Sequence, residues 1–94
     1  MYNTCMAYFM AKHKEVIGQP YLVSHGKDQK IIKEVVNTYG TFKTIKMIMQ
    51  FFQNLKTDEF LKKSGATIGV FRSQIPKLIL QTSDTEDKSN IGKL

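Results

Sequence analysis

The chain has 94 residues, 41% of them hydrophobic and 11% aromatic, and a formal net charge of +6. That length holds one core and not two, and the composition is that of a folded domain, not of a disordered chain. A single cysteine, Cys5, excludes an internal disulfide framework, and no apolar run approaches the roughly 20 residues that span a bilayer.

The first predicted element is a helix from Tyr2 to Val16. Tyr2, Met6, Phe9, Met10 and Ile17 recur at roughly helical spacing, and Gly18 can stop it. Gln19 to His25 reads as a connector, because Pro20 biases Gln19 away from helix and no second strand is available to pair with Tyr21, Leu22 and Val23. Those three are expected to seal the core edge. A second helix runs from about Lys27 to Thr38, capped by Ser24 and ended by Gly40. Its stripe is Ile31, Ile32, Val35, Val36 and Tyr39, with Lys27, Lys30, Lys33 and Asn37 off it.

The third helix, Thr41 to Leu55, is the most apolar run and takes Thr41 as its cap. Phe42, Ile45, Met49 and Phe52 form one stripe, and Ile48, Phe51, Phe52 and Leu55 a neighbouring one. The spacing predicts a central helix buried from several sides. Thr57, Asp58 and Glu59 start a short fourth helix that turns Phe60 and Leu61 inward. Thr67 caps a fifth, whose stripe is Ile68, Phe71, Ile75, Leu78 and Ile79. Gly69 and Pro76 oppose a straight rod there, so a kink or break is expected between Ser73 and Pro76. The remainder is polar. The reading is therefore all-α, a compact bundle of about five helices over residues 1–81, with a disordered, flexible tail over 82–94.

Little points to catalysis. No H-x-x-x-H, C-x-x-C, G-x-G-x-x-G or P-loop occurs, and Cys5 lies more than two helical turns from His13. Cys5 reads as a small buried hydrophobe. No catalytic residue, metal or cofactor is expected, and the protein is read as no enzyme. Lysines follow the apolar N-terminal patch instead of preceding it, against a secretory signal. The expected location is the cytoplasm, away from membranes.

The charge is uneven. Residues 1–81 hold 12 basic and five acidic side chains, a balance of +7, against −1 for the remainder. A lysine on a helix face is ordinarily just solvated. Here, however, the lysines cluster: Lys27, Lys30 and Lys33 on the second helix, Lys43 and Lys46 on the third, and Lys62 and Lys63 with Arg72 beyond. If the second and third helices pack as an antiparallel pair across Gly40, these groups merge into one basic surface for the phosphates of DNA. Arg72, the sole arginine, is suited to a bidentate contact. Tyr21 and His25 offer a stacking contact to an unpaired base. The alternative is an adaptor or inhibitor that docks on a host replication or defence protein, without touching DNA. The apolar excess of the first helix (Tyr2, Met6, Phe9, Met10) would serve it, or would form a homodimer seam.

Residues 20–80 also resemble a known module. Gly26, Lys27 and Asp28 precede one helix, and Ile68, Gly69, Val70 and Phe71 with Ser73, Gln74 and Ile75 lie near the end. In that order and spacing they resemble the helical module of phage and mobile-element replication-associated proteins of the replisome-organiser kind, here standing alone. Pro76 and His25 depart from the pattern. The resemblance implies a phage or plasmid origin, a role in DNA replication or its control, and a phage or host replication protein as partner.

Overall fold

The computed structural model describes residues 2–82. Among them are six α-helices and no strand. They are α1 (Tyr2–Ile17), α2 (Lys27–Tyr39), α3 (Thr41–Thr57), α4 (Glu59–Ser64), α5 (Ile68–Ser73) and α6 (75–82). The break expected before Pro76 is complete and yields the sixth helix. The Gln74 N–H closes α5 on the carbonyls of Val70 and Phe71, and the Leu78 N–H opens α6 on the Gln74 carbonyl at 2.9 Å. Pro76 thus falls in a first turn, where its missing donor costs nothing. Thr82 belongs to α6 and is buried, so it is not part of a tail; the rest of the expected tail, 83–94, lies outside the described residues.

Four phenylalanines make the centre. Phe9 of α1, Phe51 and Phe52 of α3 and Phe71 of α5 are all essentially inaccessible. Phe9 meets Phe52 edge-on at 5.1 Å between centroids, and Phe51 meets Phe71 edge-on at 5.6 Å. Such pairs each add about 0.5–1.5 kcal/mol beyond the area they bury. Around them α1 packs against α2 and α3, α2 also against α3 and α5, and α4 against α3. α6 joins α3 through Gln81, which hydrogen-bonds Asn54, and joins the α3–α4 junction through a Lys77–Asp58 ion pair at 3.7 Å.

The caps divide. Asp58, one of the three residues that the sequence marks as a helix start, accepts from the N–H groups of Phe60 and Leu61, and the Thr67 hydroxyl accepts from Val70 as the sequence predicts. Ser24 and Thr41 do not cap. The residues preceding α2 and α3 are Gly26 and Gly40, neither with a side-chain bond. Gly40 closes α2 and opens α3 at once with φ +87°, a conformation that side chains with a Cβ rarely adopt.

Several apolar positions point outward instead of in. Phe42 is 73% exposed, Phe60 65% and Leu22 89%, and Met49 also faces solvent. α3 buries only the side carrying Thr44, Met47, Ile48, Phe51, Phe52 and Leu55, because its neighbours meet it on that side. It is central in the chain but not enclosed.

The connector is held by one hydroxyl. Tyr21 donates to the Asp28 carboxylate at 2.8 Å and accepts from the Ile68 N–H at 3.1 Å. The same carboxylate oxygen accepts the Ser24 N–H at 2.8 Å, which satisfies a charge that is 95% buried. The Tyr21 ring packs edge-on against Phe9. Burial first, with the bond to Asp28 adding to it, pushes the Tyr21 phenol up to about 12.

Two expectations follow. Phe9→Ala should cost about 3–5 kcal/mol in urea denaturation, a large part of the roughly 5–15 kcal/mol available to a small domain. For Tyr21, a folded-state value above the ordinary 10 means its contribution is complete below pH 10 and fades as pH rises toward about 12. Tyr21→Phe should therefore be less stable than wild type at neutral pH, and melts repeated at rising pH should show the gap closing across that window.

Candidate nucleic-acid interface

The outer face of α2 follows from its inner one. Asp28, Ile31, Ile32 and Val35 are buried, so at 100° per residue Lys27, Lys30, Lys33 and Asn37 must face solvent, and all four are exposed. Among the described residues no carboxylate lies within ion-pair distance of these three lysines. The face is held in place by the Tyr21–Asp28 bond at its start and by Gly40 at its end. α2 offers one other acid on this side, Glu34, which pairs with Arg72 of α5 at 3.7 Å.

Arg72 is thus beside the α2 lysines but already engaged. Both partners of the pair are about half exposed, and such surface pairs contribute about 0–1 kcal/mol. Below the pair lies a cleft of about 240 Å³ lined by Glu34, Val35, Thr38, Tyr39, Arg72 and Ile75, with Pro76 at its edge. Lys62 pairs with Glu59 one turn away at 3.6 Å, and Lys63 is exposed.

The eight basic residues named from the sequence do not all meet. Lys27, Lys30, Lys33 and Arg72 gather around α2 and α5. Lys43 and Lys46 sit, partly exposed, on the first turns of α3. Lys62 and Lys63 follow its far end on α4, and at 1.5 Å per residue α3 carries the chain about 16 Å from Lys46 to Thr57 before α4 begins.

The stacking residues also sort differently. Tyr21 is committed to the interior, its ring against Phe9 and His13 and its hydroxyl bonded at both lone pair and proton. His25 is exposed. The exposed aromatic side chains that sequence reasoning missed are Phe42 and Phe60. Lys46 Nζ lies 5.3 Å from the Phe42 centroid; that four-residue spacing is legible in the sequence, although the apolar stripe that Phe42 shares with Ile45 and Phe52 reads as core.

Among the described residues no alternative chemistry gathers elsewhere. Cys5 is buried, its Sγ 3.7 Å from the Thr41 carbonyl, and burial pushes its thiol up, away from a reactive thiolate. His13 Nδ1 faces the Gln19 carbonyl at 2.7 Å. Among the described residues no three His, Cys, Asp or Glu side chains converge as metal ligands, and no helix is long and apolar enough to cross a membrane.

No protein-family model, curated protein or solved structure matches the chain.

Glu34→Gln tests how much the Arg72 pair holds. Stability should change by less than about 1 kcal/mol in a denaturant melt, while Arg72 is released to join the α2 lysines. Tighter binding of DNA by this variant than by wild type is the expected readout.

Proposed function

We propose that this chain is a small accessory protein that binds DNA through the lysine face of α2, in replication or its control in a phage or other mobile element. The observation that carries the reading is the set Lys27, Lys30 and Lys33, exposed on one helix face with no described carboxylate paired to them. The +7 balance of residues 1–81 supports it, since a basic face attracts polyanions over roughly a Debye length. Replication and a phage origin rest on the resemblance of residues 20–80 alone.

Lysines meet phosphates as point charges and read little sequence. The binding is therefore electrostatic, weakly selective and steeply salt-dependent. The competing reading, an adaptor on a host protein or a dimer through α1, draws less support. Met6 and Phe9, two of the apolar residues offered for that surface, are buried within this chain.

Lys30→Glu with Lys33→Glu is the test. Both positions are exposed, so the fold should survive by circular dichroism. In anisotropy titrations at two salt concentrations, wild type should bind a short DNA. The double variant should bind far more weakly, with the slope of log K against log salt shallower by about two. Wild type that binds neither duplex nor single strand at low salt sinks the reading.

A further inference from the structure

The outer face of α3 carries a pattern that the lysine face of α2 does not explain. Phe42, Lys46, Met49, Gln53 and Lys56 follow one another at spacings of four, three, four and three, which places them on one solvent-facing stripe. The stripe is about 21 Å long at 1.5 Å per residue. Phe42 at its start is 73% exposed and Met49 at its middle 45%. At that exposure most of the Phe42 ring and nearly half of Met49 meet solvent, and an exposed aromatic is a poorer helix former than alanine. A shallow notch of about 140 Å³ opens beside the stripe, lined by Lys46, Met49, Gln50 and Gln53 with the end of α6.

We propose that this stripe is a binding track for single-stranded nucleic acid. One base stacks on the Phe42 ring, and the lysines at positions 46 and 56 meet the flanking phosphates. The inference rests on the nucleic-acid reading above but uses different side chains, and it adds the form of the ligand. A flat ring beside a lysine matches the two parts of an unpaired nucleotide, a π-face and a negative charge. In a duplex those faces are already stacked on one another, and an aromatic side chain reaches them only by unstacking the helix. The same ring therefore gives nothing to a duplex, so the stripe selects form and not sequence. The polar Gln53 between the lysines can donate and accept at a base edge without preferring one base.

The chain contains no tryptophan, which gives a direct probe. Phe42→Trp in the full chain places a single indole on the stripe. Addition of a 20-nucleotide oligothymidylate should quench its emission in step with binding followed by anisotropy. A blunt duplex of the same length should bind without quenching. Phe42→Ala should weaken the oligothymidylate by about tenfold and leave duplex affinity within about twofold. Anisotropy that reports single-strand binding while the Trp emission stays flat would overturn the α3 track and leave the α2 reading standing. Absence of binding to either DNA overturns both. Equal quenching by the duplex overturns the selectivity claimed here.

Discussion

Phe9 is the contact on which the rest of the molecule depends. Its ring touches Tyr21, Phe51, Phe52 and Phe71, so one side chain joins α1, the connector, α3 and α5. Through Tyr21 the effect passes outward. The phenol held by Phe9 reaches the buried Asp28 carboxylate and the first N–H of α5. An apolar cluster thus fixes the start of α2, and with it the direction in which Lys27, Lys30 and Lys33 project. The basic face is a property of the core as much as of the surface, because rotating α2 by one position would drive a lysine inward.

What the sequence makes legible is whatever a short window decides. α2 alternates cleanly between one apolar stripe and one polar side, so its buried and exposed residues both follow from spacing. The Asp58 and Thr67 caps are local bonds spanning two or three residues, and the break before Pro76 is a local loss of a donor. α3 is different. Apolar side chains surround most of it, and period alone does not say which of two adjacent stripes its neighbours will cover. α1 and α2 cover the side of Ile48 and Phe51, and Phe42 and Met49 are left outside. Met6 and Phe9 of α1 are buried, in keeping with their helical spacing, which takes them away from the surface offered for a protein partner. The Tyr21 hydroxyl joins positions 47 residues apart, a pairing that no local pattern encodes.

The charges were legible in number but not in their partners. On residue type alone Arg72 is the strongest phosphate ligand in the chain; in the fold it is met by Glu34 from another helix. Lys62 is met by Glu59 within its own. The lysines of α2 differ: Asp28, the acid nearest Lys27 and Lys30 in sequence, is turned inward and satisfied by Tyr21 and Ser24, and Glu34, next to Lys33, pairs with Arg72. A buried carboxylate thus makes no direct ion pair with the lysines that neighbour it in sequence.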